Sequence, residues 1–149
     1  MDQERRSSVV GALVGLAGSA DYLDRADAGR ALANFAEEAE ARESLLGLVL
    51  DAGDTFVTLA TAEALLRRQD GAGFAVVAEA LALADWQQRT YVEQAVEAVF
   101  LVFAAERDRA MGVCEALVLD ASAEVRRGAV VLRQMLAEVR PLLFPQEPA

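Results

Sequence analysis

The sequence predicts an all-α protein, a single domain over residues 1–149 in which about four helical hairpins stack as an α-solenoid. Hydrophobic residues make up 54% of the chain and aromatic residues only 6%, so the core must consist mainly of Ala, Leu and Val. This composition, with only three prolines, favours helices over strands. A two-helix pattern also recurs with a period near 34 residues, which is typical of helical-repeat proteins.

The first unit is expected over about residues 7–40. Ser7 or Ser8 is the predicted cap of its first helix. Gly11 and Gly15 in that helix have a GxxxG spacing, which we interpret as a close contact with a neighbouring helix.

The remaining units are expected over about 41–70, 71–106 and 107–139, followed by a tail at 140–149. The third unit contains an apolar run at 99–103, so we expect its second helix to be the most enclosed.

The second helix of the fourth unit has the clearest pattern. Asp120 or Ser122 can cap its start. Its apolar stripe has helical spacing and consists of Val125, Ala129, Leu132 and Leu136. The preceding helix holds Cys114, the only cysteine of the chain, which excludes an intrachain disulfide and a cysteine zinc cluster. We expect Cys114 to pack as a small hydrophobic residue.

Small residues near the middle of the second helices set the repeat register. They lie 33, 34 and 34 residues apart, at Ala28, Thr61, Ala95 and Ala129. The last core leucine expected in each first helix recurs with nearly the same spacing, at Leu16, Leu50, Leu83 and Leu117. The register predicts that both sets are buried, with the small residues allowing helices to approach closely.

Asp120, the pair Val125-Arg126 and Ala129 resemble the consensus of HEAT-like (armadillo-type) repeats. The resemblance covers roughly residues 8–139 and is weak outside the last unit. It implies a short right-handed stack of hairpins whose second helices line the inner face, in a class of proteins that usually serve as protein-binding scaffolds. The tetratricopeptide repeat has the same length, but its Trp-Leu-Gly-Tyr pattern is absent.

The charge balance narrows the range of partners. Fourteen basic residues, all arginine, and 24 acidic residues give a net charge of −10. Such a surface repels phosphate backbones and anionic membranes, so we expect no direct nucleic-acid or membrane binding. We favour solubility as the interpretation of this charge; the more specific hypothesis is a surface matched to a basic partner protein.

Two observations bear on localisation. Arg5-Arg6 and the apolar run behind them loosely resemble a secretory signal, but Asp2 and Glu4 cancel the arginines. No run approaches the roughly 18 apolar residues of a membrane span. A cytoplasmic protein is the expectation.

The residue inventory argues against catalysis. Without histidine the chain has no Ser-His-Asp or Cys-His arrangement and no imidazole metal site. No glycine-rich loop follows a strand, so phosphate cradles are missing. With 24 acidic residues, coincidental carboxylate pairs are expected. We therefore predict a non-enzymatic protein without a cofactor or metal.

The register also predicts a display face. Positions two before and two after each small residue lie four apart and share a helix face. These positions are Ala26, Arg30, Leu59, Glu63, Glu93, Glu97, Arg127 and Val131. We expect Glu63, Glu93 and Glu97 to lie together in the middle, with Arg30 and Arg127 towards the ends. One hypothesis is that this acidic centre binds a partner; the other, which we favour, is a hydrated face without a role.

Two further features have open interpretations. Trp86 can anchor a partner, because interfaces favour Trp, or it can cover the gap between the helices of its own unit, which we favour. Residues 142–144 can cap the open end of the last repeat, or dock elsewhere, including on another copy of the chain.

Three functions remain open. The first is a scaffold or adaptor whose acidic inner face binds a basic protein or peptide. The second is a small acidic immunity or inhibitor-type protein that occupies the basic cleft of a toxin or nucleic-acid enzyme. The third is a helical-repeat enzyme or ligand-binding protein.

Overall fold

The structure, a computed structural model, describes residues 2–145; the end of the predicted tail, 146–149, lies outside them. The described chain is all-helical, as the sequence predicts, with one short 3-10 helix at Ala33–Phe35 and no named strand. Its α-helices are α1 (Gln3–Ala17), α2 (Tyr22–Leu32), α3 (Ala39–Val49), α4 (Thr55–Arg67), α5 (Gly71–Leu83), α6 (Trp86–Phe100), α7 (Ala104–Leu117) and α8 (Ala123–Glu138). None of these helices is long and apolar enough to cross a membrane.

Short polar side chains fix where the helices begin. The even-numbered helices are capped by Asp21, Asp54, Asp85 and Ser122, each of which accepts a hydrogen bond from a backbone amide of the first turn. The predicted cap of α1 at Ser7 or Ser8 is wrong. Asp2 accepts from the Arg5 amide at 2.9 Å, so the helix begins before the serines.

The helices pack in two rows. The odd-numbered helices α1, α3 and α5 contact one another in succession, and so do the even-numbered helices α2, α4 and α6. The third pair departs from this pattern, because α5 barely touches α6 and packs instead along α8. Gly128 of α8 permits this approach, since a Cβ there would overlap the backbone of Ala78.

Burial confirms the small-residue register and corrects part of the leucine register. Ala28, Thr61, Ala95 and Ala129 are all fully buried. Leu117 is buried and Leu50 is partly buried. The predictions for Leu16 and Leu83 are wrong, because these residues lie in the final turns of α1 and α5 and remain 36% and 53% exposed.

Two expectations about helix environments are also wrong. The most enclosed helix is α5, with eight buried residues; α6 ends at Phe100, and the chain then exposes Val102 and Phe103. Gly11 and Gly15 are exposed, and apart from neighbouring residues of α1 itself no part of residues 2–145 lies within 4 Å of a Cβ added at either position. They lie on the face of α1 that points away from the stack.

Candidate protein-binding face

One face of α6 presents an aromatic side chain and two carboxylates. Trp86, Thr90, Glu93 and Glu97 are spaced by four, three and four residues, so they lie on one side of the helix. The buried stripe on the other side consists of Val92, Ala95, Val96, Val99 and Phe100. The sequence therefore folds α6 as an amphipathic helix whose outer stripe runs from Trp86 to Glu97.

The start of α6 is rigidly defined, which places Trp86. The Asp85 carboxylate accepts from the Gln88 amide at 2.8 Å, and the Gln88 side chain accepts from the Asp85 amide at 3.0 Å. Trp86 is the first helical residue and is 79% exposed. The interpretation that it covers its own hairpin is therefore wrong, since the side chain points outward from the first turn.

The Glu97 end of this stripe borders a cleft between the carboxyl ends of α6 and α8. The cleft has a volume of about 200 Å³ and polar walls formed by Glu93, Glu97, Glu138 and Arg140. Its floor is apolar and consists of Leu101, Met135 and Val139. The arrangement can accept an apolar side chain on the floor and cationic groups along the rim.

The three carboxylates of the cleft form no ion pair within residues 2–145. No arginine nitrogen of residues 2–145 lies within 4.0 Å of Glu93, Glu97 or Glu138. Five arginines whose side chains are only 15% to 43% exposed form ion pairs with carboxylates outside the cleft. Three carboxylates on one rim repel each other, and a bound cation would relieve that repulsion.

The other predicted site residues do not join this cleft. Glu63 is partly exposed on α4, and Arg127 is exposed near the start of α8. Arg30 is exposed on α2, 3.5 Å from Asp27 and with its guanidinium 5.3 Å from the centre of the Phe56 ring. The structure therefore brings Glu93 and Glu97 together, but it places Glu63 outside the cleft.

The display-face register fails at Ala26. It was predicted to lie on the display face and is fully buried, because α2 packs against both α1 and α4 and little of its circumference is free. Conversely, Glu138 and Arg140 were missed. Their position depends on how the end of α8 meets α6, and no local sequence pattern encodes that contact.

The arginine of the repeat motif holds the connection before its helix. Arg126 Nη1 donates to the Asp120 and Ala121 carbonyls at 2.8 and 3.0 Å. Arg25 makes the same contacts at the same offsets, to Ser19 and Ala20, at 3.1 Å each. The first and fourth units thus share this contact, although in the first unit an aspartate stands where the motif has Val.

Arg25 also ties the first unit to the second. Its Nε and Nη2 atoms donate to the two carboxylate oxygens of Asp51 at 2.9 and 3.1 Å, and both side chains are largely buried. Burial alone would raise the pKa of Asp51. The pKa of Asp51 is nevertheless below its usual value. Its carboxylate accepts hydrogen bonds from Arg25 and from the Asp54 and Gly53 amides, and the positive charge of Arg25 adds to their effect, so together they outweigh the effect of burial.

Asp51 also lines a second cavity, of about 400 Å³, at the turns between helices. Its other acidic walls are Asp54 and Asp85, which cap α4 and α6. Gln88 spans this region and donates to the Leu50 carbonyl at 3.0 Å. These carboxylates are engaged in holding the turns, which sets them apart from the unpaired carboxylates of the α6–α8 cleft.

Cys114 is buried, as predicted, and burial raises the pKa of its thiol to about 12. Among residues 2–145, no three acidic or cysteine side chains converge where they could hold a metal ion.

No protein-family model, curated protein or solved structure matches the chain.

Proposed function

We propose that this chain is a non-enzymatic, protein-binding helical-repeat module whose α6–α8 cleft takes a basic segment of a partner protein. The observation that carries the proposal is the continuous stripe on α6. It leads from the exposed Trp86 through Glu93 and Glu97 to a cleft with an apolar floor.

The charges favour a cationic partner. The cleft has three unpaired carboxylates against the single guanidinium of Arg140, in a chain with a net charge of −10. Opposite charges across an interface steer association and select the partner, and this effect weakens as salt is added. A segment with two or three Lys or Arg residues matches this rim.

The apolar parts supply the anchor points. Exposed Trp side chains are frequent hot spots of protein interfaces, and Trp86 stands at the far end of the stripe from the cleft. Met135 and Val139 on the floor are 7% and 9% exposed, so they offer a partner a small apolar contact at the base of the cleft. An amphipathic segment, apolar at its ends and basic between them, fits both features.

We further propose that the repeats form a HEAT-like solenoid with a right-handed superhelical path. Support comes from the two rows of helices and from the matching contacts of Arg25 and Arg126. In such a stack the even-numbered helices line the inner face, and the stripe on α6 belongs to it.

The test compares charge reversal in the cleft with matched reversal elsewhere. E93K/E97K reverses the rim, and E40K/E43K reverses two exposed glutamates on α3; each pair changes the net charge from −10 to −6. Proteins captured by each form from a lysate of the source cells are identified by mass spectrometry. Affinity for the captured partner is then measured across a salt series.

We expect E93K/E97K to weaken binding by at least about tenfold and to flatten the salt dependence. E40K/E43K should stay within a few-fold of the wild type. Equal losses in both variants would show that only net charge matters, and unchanged binding by E93K/E97K would remove the cleft from the interface. A tight one-to-one complex that blocks an enzyme of basic surface would assign the inhibitor role, whereas weak binding to several partners would assign the scaffold.

A further inference from the structure

Helix α6 has one close neighbour among the even-numbered helices, whereas α4 has two. The helix α4 packs extensively against both α2 and α6, but α8 packs along α5 and meets α6 only slightly. The α6–α8 cleft, lined by the carboxyl ends of both helices, belongs to the gap that results. The row of even-numbered helices is therefore interrupted next to the stripe on α6.

The stripe on α6 follows the axis of the helix. Trp86, Glu93 and Glu97 lie seven and four residues apart, spacings that return to the same side of an α-helix. The eleven residues from Trp86 to Glu97 rise by about 16 Å, or three turns. A second α-helix that carries side chains at the same spacings would meet all three positions.

The stripe offers a partner side chains rather than backbone groups. The Arg89 amide donates to the Asp85 carbonyl at 3.0 Å, and the amides that follow it donate within α6. Because residues 2–145 contain no named strand, they present no sheet edge beside the stripe. An extended partner would find no backbone groups to pair with here, whereas a helical partner satisfies its own.

We propose that the basic segment bound by the α6–α8 cleft is an amphipathic α-helix of at least three turns that packs along α6. This inference rests on the proposed function and deepens it, because it assigns the conformation and the residue pattern of the partner segment. Two basic residues four positions apart meet Glu97 and Glu93. An apolar residue seven positions from the nearer basic residue meets Trp86, and all three lie on one face of the partner helix.

The charges beside the stripe identify this helix as a basic one. Glu93, Glu97 and Glu138 form no ion pair within residues 2–145. Glu93 and Glu97 are like charges four residues apart, an arrangement that destabilises a helix by itself and that basic side chains of a partner relieve. An acidic helix would add to the repulsion, so the cleft selects against it.

The experiment uses random peptides of about 16 residues, long enough for four helical turns. The peptides are displayed on mRNA, selected on the full chain, and counter-selected on E93K/E97K. Peptides that bind the wild type and E40K/E43K but not E93K/E97K are synthesised. We expect them to carry the pattern of two basic residues and one apolar residue, and to become helical on binding, as measured by circular dichroism and Cα chemical shifts.

Matched variants separate the helical conformation from the sequence of the peptide. Proline between the basic pair and the apolar residue, on the face turned away from α6, should weaken binding at least about tenfold, whereas alanine at the same position should stay within a few-fold. On the protein, W86A should weaken binding several-fold. The control Q87A changes the adjacent exposed side chain, which lies off the stripe, and should bind like the wild type.

Selected peptides that depend on Glu93 and Glu97 yet stay extended when bound, or that tolerate the proline, overturn the proposal. They would leave the cleft as a binding site, so this failure is separate from failure of the proposed function. A selection that yields no peptide sensitive to E93K/E97K also overturns it. Equal binding by W86A and Q87A would contradict the assigned pattern, because it removes Trp86 from the contact.

Discussion

Replacing Gly128 by alanine tests the close approach of α8 to α5. A Cβ at this position would overlap the carbonyl oxygen, carbonyl carbon and Cα of Ala78, all of them backbone atoms. A side-chain rotation cannot relieve such an overlap, so one helix must move. This crossing is also where the chain departs from regular hairpins.

The change that G128A causes in the free energy of unfolding is the balance of two opposing effects. Alanine is favoured over glycine inside a helix by about 1 kcal/mol. Overpacking a core typically costs about 1–3 kcal/mol, and the upper end applies where backbone has to shift. We therefore expect G128A to lower the free energy of unfolding by about 2 kcal/mol, or the melting temperature by roughly 4–8 °C in a chain of this size.

The matched control is G112A, also in a helix interior. Gly112 is exposed on α7, and apart from neighbouring residues of α7 itself no part of residues 2–145 lies within 4 Å of a Cβ added there. G112A should raise the free energy of unfolding by about 0.4–1 kcal/mol. Urea unfolding followed by circular dichroism measures both variants. If G128A stabilised the protein as G112A does, α5 and α8 could not be in the close contact described above.

Two further predictions concern buried polar groups. Thr58 is fully buried and its hydroxyl has no hydrogen-bond partner within residues 2–145, so T58V should raise the free energy of unfolding by about 1 kcal/mol. The control T90V removes a partly exposed hydroxyl that donates to the Trp86 carbonyl, and it should change the free energy of unfolding by less than about 0.5 kcal/mol. Equal effects of the two variants would contradict the reasoning. D51N should lower the free energy of unfolding at pH 7 by about 2 kcal/mol, because Arg25 loses its charged acceptor. The folded-state pKa of Asp51 is lowered, so its stabilisation is complete above the unfolded pKa near 4 and disappears as pH falls through the folded pKa. Urea unfolding as a function of pH should show the difference between D51N and the wild type shrinking below about pH 4, whereas a pH-independent difference would contradict the assignment.

Local patterns of the sequence account for the helices and for part of the site. Ser122 caps α8 as expected, and the register of small residues identifies four fully buried positions. The spacing of Glu93 and Glu97 placed both on one exposed face of α6. These features depend on interactions within a few residues, which a linear pattern records directly.

The tertiary structure decided which elements pack against each other and which side chains remain exposed. It exposes Trp86 and Leu83, buries Ala26, packs α5 along α8, and adds Glu138 to the cleft. The sequence alone determined that the chain is all-helical and where α8 begins, because caps, periodicity and composition act locally. Which faces meet depends on the fit of side chains distant in sequence, such as Gly128 against Ala78, and only the folded structure brings those residues together.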